Sequence, residues 1–210
     1  MPSTWTDYYK QGFISIAKSL ENKISDKCIE CSAEIMTSFN PRIHYRENEY
    51  SPEFIFRKCL EPWNTKIDIS SAIEIFFNSF ELNPVIYNDT IDCIHRLKSN
   101  GYTICALTDI PCAMPDEYFK KQISQLLPYI DYYVSSQSCG YRKPNIRGMQ
   151  MIANQYNADL KRIVFVGDEL KDKKLAEKVG CGFFLIDRKN KNKVAALHNL
   201  SEIPDILPHR

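Results

Sequence analysis

The stretch Ile163-Val164-Phe165-Val166-Gly167-Asp168-Glu169-Leu170-Lys171-Asp172 decides how the second half of the chain is read. Four apolar residues, two of them valines, form a run short enough for a strand and too continuous for one with a wet face. Gly167 lets the backbone turn sharply, and two carboxylates four residues apart then open a helical pattern. A buried strand feeding directly into a helix is the unit of a parallel sheet covered by helices.

Working outward, the same alternation holds from Pro84 onward, with apolar runs at Tyr102–Leu107, Ile130–Val134 and Phe183–Ile186. Asn88 is placed to cap a helix whose Ile91, Ile94 and Leu97 share a face, and Asn100-Gly101 supplies a left-handed exit. Further helices are expected over Pro115–Leu127 and Ile146–Tyr156. Right-handed crossovers would bring all four strands into one sheet.

Before Pro84 the spacing is helical. Phe13, Ile16, Ala17 and Leu20 share a face, as do Cys28, Cys31, Ile35 and Phe39, and then Ile69, Ala72, Ile73, Phe76 and Phe77. Asn40-Pro41 and Glu61-Pro62 interrupt these runs, and Ser51-Pro52 marks a helix start. The expected organisation is a helical domain over 1–84 and an α/β domain over 85–210.

Charge and composition narrow the function. Lys plus Arg, 27, almost balance Asp plus Glu, 26, so the basic excess of nucleic-acid binders is missing and nucleic acid is not an expected partner. No stretch is apolar and long enough to span a bilayer, and the first residues, Met1-Pro2-Ser3-Thr4-Trp5, are unlike a secretory signal, so the expected location is cytoplasmic without membrane association. Eight scattered cysteines are read as reduced thiols, and Cys28 with Cys31 as two residues of one helix rather than half of a zinc site. His44, His95, His198 and His209 share no ligand spacing, and the basic run Lys189–Lys193 reads as a solvated loop.

In parallel α/β sheets ligands gather beyond the carboxyl ends of the strands. Three such ends carry suggestive groups. Leu107-Thr108-Asp109 presents a hydroxyl and backbone amides suited to an oxyanion. Gly140-Tyr141-Arg142-Lys143-Pro144 brings a lysine into a loop before a helix, and Asp168 with Asp172 offers the oxygen ligands that Mg²⁺ prefers. Taken singly each has a plain explanation: a strand-end threonine, a solvated lysine, a helix-capping aspartate. The ordered set is what carries the reading.

That set, Thr108, then Lys143-Pro144, then Gly167-Asp168 with Asp172, resembles the second, third and fourth motifs of the haloacid dehalogenase (HAD) superfamily, over about Pro84 to the end. The resemblance implies a Rossmann-like parallel core with an N-terminal helical cap, whose start Tyr8-Tyr9-Lys10-Gln11-Gly12-Phe13 would mark. It implies that Thr108 and Lys143 serve catalysis, that Thr108, Asp109 and Lys143 bind phosphate, and that Asp168 and Asp172 position Mg²⁺. The substrate class implied is a small phosphorylated metabolite.

The same resemblance calls for a central strand written Asp-x-Asp-x-Thr, carrying the nucleophile, and no such strand occurs in the 210 residues. Asp7, in Thr4-Trp5-Thr6-Asp7-Tyr8, has neither an apolar run before it nor a second aspartate two residues on. The expectations are therefore a Mg²⁺-dependent phosphatase core that is inactive as it stands, a slot in the sheet, and an upstream continuation bearing the strand. A non-catalytic phosphate- and metal-binding or regulatory module is the alternative, and dehalogenation, which would need the same aspartate, ranks below both.

Overall fold

The computed structural model describes residues 4–21, 23–80, 84–189 and 196–208. Its regular elements are α1 (Trp5–Lys18), α2 (Asp26–Ser38), α3 (Pro52–Leu60), α4 (Ile69–Asn78), α5 (Asp89–Ser99), β1 (Cys105–Thr108), α6 (Asp116–Gln122), β2 (Tyr132–Ser135), α7 (Ser136–Cys139), α8 (Arg147–Gln155), β3 (Val164–Gly167), α9 (Leu170–Val179), β4 (Gly182–Leu185) and α10 (Ile203–Ile206). They fall into two compact units, one within Met1–Asn83 together with Ile110–Gln122, the other within Pro84–Asp109 together with Ile123–Arg210. The segment after Asp109 thus packs with the helices, while Asp109 itself ends the α/β unit.

In the helical unit each of the first four helices begins at a residue able to accept a backbone N–H: Thr4, Ser25, Ser51 and Asp68. Asp7 is spent on the first of these caps. It accepts from the Thr4 amide at 3.2 Å, and the Thr4 hydroxyl accepts from the Asp7 amide at 3.2 Å. The core is aromatic, with Phe13, Phe56 and Phe76 fully buried and the Phe13 and Phe76 ring centroids 5.1 Å apart, edge to face. Gly12 lets the Phe76 ring lie against α1, since a Cβ there would stand 2.4 Å from ring carbons. One buried hydroxyl ties three segments: Ser32 Oγ donates to the Cys59 carbonyl at 2.6 Å and accepts from Trp63 Nε1 at 2.6 Å. Cys28 and Cys31 both lie on α2, and Cys59, wholly buried, has its thiol pushed up mainly by desolvation.

In the α/β unit, α5 ends as its sequence demands. Gly101 takes φ +81°, the Tyr102 amide donates to the Leu97 carbonyl and the Gly101 amide to the Lys98 carbonyl, closing a Schellman turn. The expected Asn88 cap is not made: Asn88 is helical in conformation and its side chain makes no capping bond. The first turn is anchored instead by Asp89, which grips Arg188 through both oxygens, at 2.8 and 2.9 Å, and accepts from the Leu200 amide at 2.7 Å.

Each expected strand is present, displaced by one to three residues from its apolar run. The expected single sheet is not. β1 pairs with β2 and β3 with β4, both parallel, and the two pairs remain separate. Thr108 is in register with Ser135, and Gly167 with Leu185. Beyond β4, Leu197 bridges to Ile186, so among the described residues β1 and β3 each keep an edge without a strand partner. No residue of either is fully buried, unlike the usual interior strand of a parallel sheet. Both pairs nevertheless contribute to one core cluster: Ile104, before β1, and Val166 of β3 pack against the group formed by Cys93, Leu97, Ile186 and Ile203.

The helix expected over Pro115–Leu127 is shorter, ending at Gln122, and a 3-10 turn spans Leu127–Tyr129. Among the described residues no helix is long and apolar enough to cross a membrane. Met1 to Ser3, the basic run from residue 190 onward and His209 lie outside the described residues.

Candidate active site

All five residues singled out from the sequence belong to the α/β unit, four of them at or just beyond the carboxyl ends of β1 and β3. Thr108 closes β1 and Asp109 follows it; Asp168 follows β3, and Asp172 sits in the first turn of α9. Lys143 arrives from a different direction. Ser135 caps the short α7, Gly140 ends it at φ +79°, and the chain runs on through buried Arg142 to Lys143.

Three contacts bring these segments together. The Lys143 amide donates to Asp109 Oδ1 at 3.0 Å, joining the lysine loop to the end of β1. Lys143 Nζ lies 2.7 Å from Asp172 Oδ1, joining that loop to α9. Lys171 Nζ lies 2.9 Å from Asp109 Oδ2 and 2.6 Å from Glu169 Oε2, joining α9 back to β1. The contacts thus close a ring through the end of β1, the lysine loop and the start of α9.

Burial makes the Lys143–Asp172 pair energetically weighty. The two side chains are 12% and 3% exposed, so both charges have given up most of their water, and neither is tolerable without the other. Asp172 Oδ2 accepts from the Glu169 amide at 3.0 Å as part of the helix cap. Its Oδ1 is buried and its partner is the Lys143 ammonium at 2.7 Å. Capping and charge pairing, alternatives when the sequence is read alone, are here two oxygens of one carboxylate. Gly167 permits this: a Cβ there would meet Asp172 Cβ at 2.4 Å and Oδ2 at 2.6 Å.

Asp109 is tied through both oxygens, its carboxylate only 6% exposed, so it positions the loop and leaves the backbone at the end of β1 as the group suited to an anion. Lys143 also lies 5.8 Å from the centre of the Phe165 ring on β3. Lys171 and Glu169 were not singled out from the sequence, although they stand inside the quoted stretch. The signal available was a lysine in the first turn of a helix, where the dipole disfavours a cation. Desolvation works against the Lys171 charge, but hydrogen bonds to Glu169 and Asp109 outweigh it and raise its pKa.

Mg²⁺ commonly keeps several waters and takes only one or two protein carboxylates. Asp168 and Asp172 could supply that pair, with Asp172 Oδ1 also paired to the Lys143 ammonium at 2.7 Å. Among the described residues no three His, Cys, Asp or Glu side chains gather closely enough to hold a metal by themselves.

The family profile of the haloacid dehalogenase-like hydrolases matches residues 16–180. The chain belongs to this superfamily. As a HAD-like protein it is similar in fold to a HAD phosphatase from Thermococcus onnurineus, with TM-score 0.59 and 18% identity over 96% of this chain and 89% of that one. It is also similar to 2-haloacid dehalogenase from Pseudomonas syringae pv. Tomato DC3000, with TM-score 0.63 and 16% identity over 96% and 89%. Over 101 residues, 48% of this chain, it is 24% identical to phosphoglycolate phosphatase of Aliivibrio fischeri (strain ATCC 700601 / ES114). That match spans 44% of the length of the Aliivibrio protein.

Proposed function

We propose that this chain carries the phosphate- and Mg²⁺-binding part of a HAD-type phosphatase for small phosphorylated metabolites, and that the chain by itself does not turn substrate over. The observation that supports the first half most is that Lys143 contacts both Asp109 and Asp172, so that three separate segments meet. The second half rests on the sequence, in which no Asp-x-Asp pair occurs.

In this reading the Thr108 hydroxyl and the amides after it hold phosphoryl oxygens, and the Lys143 ammonium offsets their charge. Asp168 and Asp172 would hold Mg²⁺, which when bound neutralises charge developing on the phosphoryl group. The helical domain over 1–84 plays the part of a substrate-selecting cap, with the core over 85–210. Without a nucleophile these groups bind and polarise but do not cleave; removing the nucleophile of a concerted set costs on the order of a millionfold in turnover. A second reading, a binding or regulatory module that keeps the pocket without chemistry, is favoured by the same missing pair of aspartates.

The test is calorimetric titration with Mg²⁺ and inorganic phosphate, beside phosphate release from a panel of monoesters that includes 2-phosphoglycolate. Binding that Asp168→Asn abolishes, without turnover, is the expected result. Metal-dependent release would refute the claim of inactivity, and failure to bind either ion would refute the site.

A further inference from the structure

Two rows of backbone groups in the α/β unit have no partner. In a strand, successive residues turn their N–H and C=O to opposite edges, so the bonds already made show which residues face away. The Ile104 carbonyl accepts from the Asp131 amide at 2.7 Å, on the β2 side, which leaves Cys105 and Leu107 directed to the other edge of β1. The Ile163 carbonyl accepts from the Gly182 amide at 3.0 Å and the Gly167 carbonyl from the Ile186 amide at 2.9 Å, on the β4 side. Val164 and Val166 are left directed to the other edge of β3. Among the described residues no backbone group meets either row.

Both rows belong to one region. The carboxyl ends of the strands meet, with Asp109 after β1 lying 2.9 Å from Lys171 after β3, and Ile104 and Val166 pack against the same buried cluster. Yet β1 and β3 exchange no strand hydrogen bonds, and what ties their ends is a long side chain. One further strand, parallel to both, would give each of the four residues a partner for its donor and its acceptor. Helices cover both faces of such a strand. Ile104 and Val166 pack towards Cys93 and Leu97 of α5, and Leu107 lies against α8, where a Cβ on Gly148 would stand 2.5 Å from its Cδ1. The occupant must therefore be apolar at every position. The described chain keeps no spare run of this kind: Val85-Ile86-Tyr87 is held at Tyr87 by the Arg188 guanidinium, 3.9 Å from the ring centre.

We propose that the two rows form one docking slot for an extended apolar segment of a partner chain. The segment enters between β1 and β3 as a parallel strand, about as long as the four-residue strands it joins, and makes one sheet of the two pairs. The slot does not depend on the Mg²⁺ and phosphate reading.

The test is amide exchange of the whole chain, residue by residue by NMR, with and without a synthetic peptide carrying the run Val-Ile-Val-Ile-Val between lysine pairs. In the free chain the amides of Cys105, Leu107, Val164 and Val166 should exchange faster than those of Ala106 and Phe165, which face β2 and β4. Saturating peptide should slow all four by roughly tenfold or more along one binding curve, and a peptide with proline at its centre should not. Val164→Pro removes one slot-facing donor at an exposed position, after Ile163, whose φ of −92° and ψ of 137° already suit a following proline. This variant should fold and bind the peptide roughly fivefold more weakly. Slow exchange at the four amides in the free chain, no protection by peptide, or protection of one strand alone would overturn the proposal. Protection that grows with protein concentration in the absence of peptide would assign the edges to a second copy and also overturn it.

Discussion

Replacing Lys143 with methionine tests whether its ion pair with Asp172 belongs to the built interior of the site. Methionine keeps most of the side-chain volume, so the packing against Phe165 survives while the charge is lost. The carboxylate left behind is 3% exposed, with one oxygen engaged by the Glu169 amide and the other making no hydrogen bond. Breaking a buried pair from one side costs roughly 3–5 kcal/mol; at a strand-end site with water close by, about 3 kcal/mol is expected. For a chain of 210 residues that lowers the melting temperature by roughly 6–12 °C. Lys143→Met with Asp172→Asn should recover most of the loss, because the amide oxygen can still accept from Glu169 and no charge is stranded. Thermal and urea melts of the wild type, both single variants and the double variant supply the cycle. If Lys143→Met melts within a degree or two of wild type, or the double variant is no more stable than Lys143→Met, the pair is solvated and the argument fails.

Gly167→Ala should displace Asp172, since the added methyl would stand 2.4 Å from its Cβ; a loss of roughly 1–3 kcal/mol in urea melts is expected, together with weakened Mg²⁺ binding by calorimetry. Asp89→Asn removes the clamp on Arg188 and the Leu200 amide. The Arg188 bonds hold the Asp89 pKa below its ordinary value, so the stability it adds, about 1–2 kcal/mol, is present at neutral pH and lost as pH falls below about 4. Melts of wild type and Asp89→Asn should therefore differ at pH 7 and draw together steadily as pH falls below the ordinary carboxylate range, and a difference that does not shrink there would refute the electrostatic account. In the helical unit, Ser32→Ala leaves the Trp63 Nε1–H without its acceptor and should cost roughly 1–3 kcal/mol, read from the shift in urea midpoint; a shift under half of that range's lower end would mean that the indole finds another partner.

The sequence alone determined the change of grammar at Pro84, the four strands and the helix faces, because burial writes a period of about 3.6 or an unbroken apolar run into neighbouring residues. It also determined that Thr108 and Asp168 stand at strand ends, Asp172 at a helix start and Lys143 in the loop before a helix, which is where the structure has them. Asn88 shows the limit of local reading: a good capping residue was passed over because Asp89 had stronger long-range partners in Arg188 and the Leu200 amide. Whether four strands make one sheet or two pairs depends on which strand lies between β1 and β3, a question of distant neighbours that no local pattern encodes. The contact of Lys171 was hidden for the same reason, since its partner Asp109 lies far away in sequence and the two meet only when the end of β1 and the start of α9 lie side by side. Local physics chose the elements; tertiary packing chose which charges face one another.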